Sequence, residues 1–241
     1  MIHVYALTSD PVPGAQLTGI DEQPVTEVAC GPLHAAVTEH ERAPRATRET
    51  ALAHAETVAA LAEITATLPM RFGVQHADIA RLREAVAGAR EELLRGLEQV
   101  GDAAEFVVRL EGGQVPDPPA TTAAATTGAT GEEPATEPDP TAEGVGPGHA
   151  YLAERLAEHR ARATAYEVAL AELRRASADL DPLAREVVER PGPRGPERCF
   201  LVWRAEAEVF ADAAAAAVEG LTDGVWGGPW PPYTFVTEVV A

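Results

Sequence analysis

Ile2-His3-Val4-Tyr5-Ala6-Leu7 lies near the start of this chain of 241 residues and decides its expected fold class. Apolar side chains occupy both alternating faces of the segment, so it predicts a β-strand that is covered on each side. Residues 25–37 contain a Cys30-Gly31-Pro32 turn signal between two strand-like runs and predict a β-hairpin. A sheet that contains such a strand needs packing partners on both of its faces.

Two helices are expected after the hairpin. The first begins at about Thr47, which is a suitable N-cap, and ends before Pro69. Asp78 begins a longer helix, in which apolar residues recur at spacings of three and four until Gly101 ends it. Residues 106–110 then predict a strand. This order predicts an α+β fold with helices on one face of a mainly antiparallel sheet, close to the ferredoxin-like arrangement.

The C-terminal part predicts a second α+β unit, which begins with a helix from Tyr151 to about Ala178. Its apolar stripe, at alternating spacings of four and three, consists of Leu152, Leu156, His159, Ala163, Tyr166, Leu170 and Leu173. Because the helix after Asp78 carries a similar narrow stripe, the two long amphipathic helices are expected to pair, although each could equally cover its own sheet. The remaining expected elements are a short helix to about Arg190, a loop over 191–196, a buried strand at 199–203, a helix over 206–220 and a last strand over 233–240.

The composition changes abruptly in the middle of the chain. Residues 112–148 contain seven each of Pro, Gly, Thr and Ala, no aromatic residue, and only Val115 and Val145 as larger aliphatic residues. Such a segment buries too little apolar surface to offset the entropy cost of ordering it. We therefore expect an N-terminal α+β domain at 1–111, a disordered acidic Pro/Thr/Ala-rich linker at 112–148, and a C-terminal helical plus α+β domain at 149–241. A recognition sequence is the alternative interpretation of the linker.

The charge of the chain excludes several classes of partner. There are 38 acidic residues against 19 basic ones, and the formal net charge is −19, of which −6 falls in the expected linker. Nucleic acids and anionic membrane surfaces require clustered basic residues, so neither is expected as a partner. No apolar run approaches the roughly 20 residues of a membrane-spanning helix, and the first residues do not resemble a signal peptide. We therefore expect a cytoplasmic protein.

No pattern of catalytic or metal-binding residues stands out. The seven histidines are scattered, and neither a Cys-x-x-Cys nor a His-Glu-x-x-His motif occurs. Phosphate-binding glycine loops and a Gly-x-Ser-x-Gly motif do not occur either. Cys30 and Cys199 are expected to be small buried side chains, and activation of Cys30 by His54 or His34 is the alternative. We predict no catalytic, metal-binding or cofactor-binding residues.

Two unusual segments provide the candidate partner-binding residues. In Leu68-Pro69-Met70-Arg71-Phe72-Gly73, the Arg71 guanidinium could bind a partner carboxylate or pair with an internal acid. Gly227-Gly228-Pro229-Trp230-Pro231-Pro232-Tyr233-Thr234-Phe235 is rich in proline, which cannot donate a backbone hydrogen bond, so it belongs at a sheet edge or on the surface. Exposed, this segment would dock a partner; buried, it would pack the last strand on the core. The candidates are Arg71, Phe72, Trp230, Pro231, Tyr233 and Phe235.

These two motifs, found together in this order, resemble those of the gas vesicle protein F/L family. The similarity also covers the first strand at 2–6, the helix at 54–61, the helix start at 148–152 and the strand at 200–203. The segment at 112–148 departs from shorter relatives. The resemblance implies a fold of two α+β domains, one of them ferredoxin-like, with helical hairpin elements.

The resemblance also implies a role without catalysis. Family members are expected to be minor structural components or accessory factors of gas vesicles, the hollow protein shells that provide buoyancy. They are expected to bind the very apolar major shell protein and other gas vesicle accessory proteins, to limit aggregation, and to assist nucleation and assembly. In such a role an acidic surface keeps the complex dispersed, and the aromatic motif or free strand edges cover the shell subunit by edge pairing. The alternatives are a small enzyme on a ferredoxin-like scaffold and a general two-domain adaptor.

Overall fold

The computed structural model describes residues 1–12, 17–111 and 147–236. Its first half contains β1 (Ile2–Thr8), β2 (Thr26–Cys30), β3 (Leu33–Glu39), α1 (Arg48–Ile64), β4 (Thr67–Pro69), β5 (Gln75–His76), α2 (Ile79–Gly88) and α3 (Arg90–Val100). Its second half contains β6 (Ala103–Leu110), α4 (Pro147–Ala176), β7 (Glu186–Gly192), β8 (Gly195–Trp203), α5 (Ala207–Glu219) and β9 (Gly224–Trp230). Two antiparallel sheets with helices confirm the α+β prediction.

The first strand is buried along its whole length, as its sequence predicts. The first sheet has the order β2-β3-β1-β4, and β5 also pairs with β1. Ile2 and Val4 belong to the core between the two sheets. Tyr5 packs on the opposite face, toward α1. A register shift between Val4 and Ala6 marks a β-bulge, which places Ala6 on the α1 face beside Tyr5.

Capping chemistry starts α1 where the sequence predicts it. The Thr47 hydroxyl accepts from the Thr50 backbone N–H, and the Thr50 hydroxyl accepts from the Thr47 N–H. The helix ends at Ile64, earlier than expected, because residues 67–69 pair with β1 as an edge strand. Pro69 is tolerated there because an edge strand has one side without ladder bonds.

The helix expected from Asp78 to Gly101 is divided into α2 and α3. The Asp78 carboxylate caps α2 by accepting from the Arg81 N–H at 2.8 Å. The division falls at Ala89, whose φ of −105° and ψ of 10° are not helical, directly after Gly88, a poor helix former. Gly101 ends α3 with a φ of +51°, which glycine adopts easily. The predicted apolar stripe survives the division and buries Leu82, Val86, Leu93, Leu97 and Val100.

The second sheet has the order β7-β8-β6-β9, so β6 is one of its two central strands. The expected domain boundary at 111 places β6 in the N-terminal unit, whereas its hydrogen-bonded neighbours are β8 and β9. The division into 1–111 and 149–241 stays a prediction, but the two sheets divide the chain between β5 and β6. Most of the expected linker at 112–148 lies outside the described residues, and its last two residues begin α4.

Three apolar clusters hold these layers together. The central cluster lies between the two sheets and contains the buried stripe of α2 and α3 together with Val107, Cys199 and Leu201 of the second sheet. A second cluster fills the outer face of the second sheet, under α4 and α5. The third lies between α1 and the outer face of the first sheet. The two sheets therefore share one core, and each covers its outer face with its own helices.

Two arginines of the second half bind the ends of helices in the first half. The Arg185 guanidinium donates to the Val100 carbonyl at the end of α3 and stacks on the Trp203 ring, 3.8 Å from its centroid. The Arg204 guanidinium donates to the Ala62 carbonyl near the end of α1. Helix C-termini carry unsatisfied carbonyls and partial negative charge, so cations are favourable there.

The expected pairing of the two long helices is wrong. The buried residues of α4 include Ala169 and Leu173, which pack on the outer face of the second sheet. The apolar stripes of α2 and α3 face the central cluster instead. Each long helix covers a sheet because a sheet face offers more apolar area than a single narrow helix stripe.

Three further expectations near the C-terminus are wrong for the residues that the structure describes. The short helix to Arg190 and the loop at 191–196 are replaced by the hairpin of β7 and β8, in which Pro191 pairs with Pro196. Gly195 adopts a φ of +143° in the tight turn, a conformation that suits glycine. The last strand is β9, and Tyr233–Phe235 forms a 3₁₀ turn where a strand over 233–240 is expected; residues 237–240 lie outside the described residues. The expected sheet-edge position is confirmed for β9.

Within the described ranges, no helix combines the length and apolarity of a membrane span.

Candidate functional site

The end of β9 and the residues that follow it cross from the second sheet to α1, and we refer to residues 230–235 as the closing segment. The Thr234 N–H and hydroxyl donate to the Glu105 carboxylate at 2.8 and 2.5 Å. Glu105 is a buried residue of β6 and therefore depends on such donors. The Phe235 ring lies in the central cluster between the sheets. These contacts anchor the closing segment to β6 of the second sheet and to the core between the two sheets.

The closing segment forms one wall of a groove. The cavity has a volume of about 400 Å³ and is lined by Ala55, Glu56 and Ala59 of α1, by Glu105 and Arg190 of the second sheet, and by Trp230, Pro231, Tyr233 and Thr234. Trp230 is 45% exposed, whereas Tyr233 is half-buried. Small alanines on one wall and stiff aromatic residues on the other leave an open space suited to an apolar chain segment.

Three charged residues line this groove: Glu56, which is exposed on α1, Glu105 and Arg190. The Arg190 Nε donates to the Glu197 carboxylate at 3.1 Å, and the Arg190 side chain is 44% exposed. The Glu105 carboxylate, in contrast, is occupied by Thr234. Burial raises the pKa of the Tyr233 hydroxyl to about 12, so it stays a neutral donor. The groove can thus offer the Arg190 cation, the exposed Glu56 carboxylate and the neutral Tyr233 hydroxyl to a bound segment.

The Leu68–Gly73 motif begins in β4, at the edge of the first sheet beside β1. Its backbone continues β4, because the Met70 N–H donates to the Tyr5 carbonyl at 2.9 Å. The Phe72 ring packs against the cluster between α1 and the first sheet, and Tyr233 packs against the same cluster. The structure therefore brings these two residues, which are far apart in sequence, to one cluster.

The six candidate residues separate into two groups. Four of them are buried or half-buried and pack against the core: Phe72, Pro231, Tyr233 and Phe235. The side chains of Arg71 and Trp230 are exposed. Of the six, these two present the most surface to a partner, and Trp230 also lines the groove.

A buried pair of histidines, which the sequence analysis did not identify, supports α1 behind the groove. His54 Nε2 lies 2.9 Å from the Met70 carbonyl, so it carries the proton and donates. His54 Nδ1 must then accept from His3 Nε2, at 2.9 Å. The Phe72 ring lies against both imidazoles, with centroid distances of 5.6 and 5.7 Å. The signal in the sequence is a histidine at a strand position that faces a helix, and this signal is too common to be specific.

This arrangement leaves His3 Nδ1 as a buried acceptor without a hydrogen-bond partner. Burial, together with the neighbouring His54, lowers the pKa of His3 to about 4. Burial also lowers the pKa of His54, against the opposing effect of its bond to the Met70 carbonyl. Both imidazoles are therefore neutral near pH 7, and the pair positions α1 instead of supplying a charge.

The enzyme alternative requires Cys30 to lie beside His54 or His34, and the structure does not bring these side chains together. Cys30 lies in the central cluster, whereas His54 stacks on Tyr5 on the α1 face of the same sheet. His34 pairs with the Glu27 carboxylate at 2.7 Å. Burial raises the pKa of Cys199 to about 11 and also raises that of Cys30, so both stay protonated thiols. In the part of the chain that the structure covers, no group of His, Cys, Asp and Glu has the arrangement of a metal site.

The sequence matches a model of a gas vesicle protein family, and the fold is similar to crystal structures of gas vesicle proteins. Residues 1–237 match the family model described as gas vesicle synthesis protein GvpL/GvpF. The fold is similar to the crystal structure of gas vesicle protein GvpF from Anabaena sp. PCC7120, with a TM-score of 0.69 and 16% identity over 98% of this chain and 95% of that one. It is also similar to GvpF from Microcystis aeruginosa, with a TM-score of 0.71 and 16% identity over 97% and 98% of the two chains. No curated protein matches the sequence.

Proposed function

Since the chain belongs to the GvpL/GvpF family of gas vesicle synthesis proteins, we propose that it is a gas vesicle accessory or minor structural protein. In this role it binds the major shell protein, limits aggregation of that protein, and assists nucleation and assembly of the vesicle together with other accessory proteins. The family match over residues 1–237 is the observation that carries the proposal.

The groove beside the closing segment is the proposed binding site for an apolar segment of the shell protein. Trp230 is the exposed aromatic anchor, and Ala55 and Ala59 leave space opposite it. Partly exposed aromatic side chains next to a cavity supply much of the binding energy in protein interfaces. Phe235 and Phe72 support this wall from inside and do not contact the partner.

The charge distribution suits a protein that handles an insoluble partner. With a net charge of −19, the complex repels copies of itself and stays dispersed. The same charge disfavours nucleic acids and anionic lipid surfaces. We therefore propose a cytoplasmic protein that associates with gas vesicles.

The proposed role involves no catalysis. The neutral histidine pair, the protonated thiols and the separation of Cys30 from His54 support this part of the proposal. The adaptor alternative, without a link to gas vesicles, has no comparable support from the family match.

We also infer that β6 to β9 form a ferredoxin-like unit. The chain order β6-α4-β7-β8-α5-β9 and the antiparallel spatial order β7-β8-β6-β9 support this inference. Because β6 precedes residues 112–146 and α4 follows them, we propose that the acidic segment is an insertion within this second unit. Proteolysis at 112–146 should then leave two fragments that remain associated through the second sheet.

Co-expression with the cognate major shell protein tests the proposed function. We expect the chain to keep shell protein in the soluble fraction and to co-purify with it. Trp230→Ser removes the anchor and Ala59→Arg fills the groove, and each should lower the amount of recovered shell protein by about tenfold. Val209→Ser, at an exposed position on α5, is the matched control and should change nothing.

Two results would contradict the proposal at different levels. If both groove variants stay folded and recover shell protein as well as the wild type does, the groove is the wrong site. If a strain that lacks this gene, without a paralogue to compensate, makes a normal yield of vesicles, the assembly role itself is wrong.

A further inference from the structure

The N-terminal half of α4 extends beyond the sheet that its C-terminal half covers. Ala169, Leu170 and Leu173 are buried, and Leu173 packs on the second sheet. In contrast, Leu152 is 67% exposed and Leu156 is 49% exposed. The apolar stripe of this helix is continuous in sequence, but only its C-terminal part has a partner among the described residues.

Charged residues are sorted around the exposed part of the stripe, which consists of Leu152, Leu156, His159 and Ala163. At 3.6 residues per turn, Arg155 and Arg160 border the stripe on opposite sides, and Arg162 lies beside Arg155. Glu154 and Glu158 fall on the far side of the helix. Arg155 and Glu158 form one exposed pair at 3.3 Å, which is too weak to hold the guanidinium away from the stripe. In a chain of net charge −19, this apolar stripe is thus bordered by positive charge.

This charge pattern disfavours two simple candidates for the segment that covers the exposed stripe of α4. A second copy of α4 would bring the bordering arginines of both copies close together, in parallel and in antiparallel pairing alike. Residues 112–146 of the same chain are acidic but contain only Val115 and Val145 as larger aliphatic residues, so they cannot fill the leucine positions. A complementary partner needs a longer apolar stripe with negative borders.

We propose that the exposed Leu152–Ala163 face of α4 docks an amphipathic helix of another protein, whose apolar stripe is bordered by Asp and Glu. Its leucine positions bury Leu152 and Leu156, and its acids meet Arg155, Arg160 and Arg162. This surface is separate from the groove at Trp230, so the proposal does not depend on the shell protein being the partner.

Two designed peptides of three heptads test the proposal with the full chain. Both carry Leu at the a and d positions; one carries Glu at every e and g position and the other carries Lys. Fluorescence anisotropy should show binding of the Glu peptide and at least tenfold weaker binding of the Lys peptide, and added salt should weaken the favourable interaction. Leu156→Asp should weaken binding of the Glu peptide by at least tenfold. Leu52→Asp, at an equally exposed leucine on α1, is the matched control.

Reversing the charge of the three bordering arginines gives a test that loss of folding cannot mimic, because the expected result is a reversed preference between the two peptides. The triple variant Arg155→Glu, Arg160→Glu and Arg162→Glu keeps the leucines and should prefer the Lys peptide over the Glu peptide. Circular dichroism confirms that each variant retains its helices.

Each remaining outcome overturns the proposal. Equal affinity for both peptides, no binding of the Glu peptide, or an unchanged preference in the triple variant would show that the arginine borders do not select a partner. A dimer in sedimentation equilibrium that Leu156→Asp dissociates would make a second copy the occupant. Binding that appears only after the six acids of 112–148 are replaced by amides would make that segment the occupant.

Discussion

The outer faces of the two sheets are buried by different chemistry. Under α1, the first sheet buries a hydrogen-bonded set that includes His3, Tyr5 and His54. Under α4 and α5, the second sheet buries aromatic rings, with Phe210 lying 4.8 Å from Phe106 and 5.3 Å from Phe200 between ring centroids. Burial of aromatic rings stabilises the fold in proportion to the buried area and tolerates small shifts of the rings. Hydrogen bonds, in contrast, specify the positions of the groups that they join.

The groove lies at the hydrogen-bonded face of the first sheet, and this chemistry suits the requirements of a groove wall. Its α1 wall must stand at a fixed distance from the closing segment, and the hydrogen-bonded chain from His3 through His54 to the Met70 carbonyl holds α1 to β1. The aromatic face supports no such wall, and α4 continues past it with an exposed stripe. The polar face therefore positions a site, and the aromatic face supplies stability. The aromatic face does contain one buried guanidinium near its end, that of Arg198, which pairs with the partly exposed carboxylates of Asp181 and Glu189.

The largest expected effect comes from the aromatic face. Phe210→Ala removes a fully buried ring and should lower the free energy of unfolding by about 3–5 kcal/mol. Urea denaturation followed by circular dichroism measures this change. Val209→Ala, next in sequence but 63% exposed, should change the free energy by less than about 0.5 kcal/mol. Similar losses for the two variants would remove the aromatic face as a source of stability.

The polar face should make stability depend on pH. The pKa of His3 is about 4 in the folded chain, against 6.5 as its ordinary value. The unfolded chain therefore binds more protons between these values, and the His3 contribution is complete above pH 6.5 and is lost as the pH falls toward 4. At 1.36 kcal/mol per pKa unit, the loss is about 3 kcal/mol. Denaturation midpoints at pH 7, 5.5 and 4 measure it.

His3→Gln provides the control, because its amide can still donate to His54 but does not titrate. Subtracting its curve removes the contribution of carboxylates elsewhere in the chain. His54, whose pKa is also lowered by burial, then retains a dependence of the same sign. Parallel curves for wild type and variant would show that the buried imidazole is not held neutral.

A smaller effect is expected where the two sheets meet. Thr234→Val removes the hydroxyl that donates to the buried Glu105 carboxylate and should cost about 1–3 kcal/mol. The matched variant Glu105→Gln with Thr234→Val removes the charge as well, and it should recover part of the loss. An unchanged stability in Thr234→Val would mean that the closing segment is not anchored through Glu105.

The smallest effect is expected at the start of α1. Thr47→Ala removes the cap and should cost about 1 kcal/mol, because the helix is also held by the histidine pair and by its apolar contacts. The same denaturation measurement with Thr164→Ala, at an exposed hydroxyl inside α4, gives the comparison. A loss of several kcal/mol at Thr47 would mean that α1 depends on its cap more than on its buried face.

Local patterns predicted much of the fold correctly. The buried strand at the start, the hairpin around Gly31, the Thr47 cap and the stripe from Leu82 to Val100 all depend on neighbouring residues, so they can be recognised in the sequence. The β7–β8 hairpin was missed because prolines flank a turn that also resembles an open loop. The grouping of β6 with the second sheet was missed because strand partners that are 88 or more residues apart leave no local signal.

The candidate site was predicted in part for the same reason. Both unusual motifs were identified from their composition, but composition does not tell which of their aromatic residues are buried. Phe235 enters the central cluster and Trp230 does not, because the closing segment turns at Tyr233 after it meets α1. The histidine pair forms between residues that are 51 positions apart.

By itself, the sequence determined the α+β class, the acidic character, most helix and strand positions, and the two motifs that resemble the GvpL/GvpF family. These properties follow from the spacing of apolar residues, from turn and cap residues, and from composition, all of which act over a few neighbours. The tertiary structure alone decided that the two sheets share a core, that Trp230 faces a groove, and that half of the α4 stripe has no partner among the described residues. Burial is a property of the whole packed chain, so these choices depend on contacts between distant segments that no local pattern encodes.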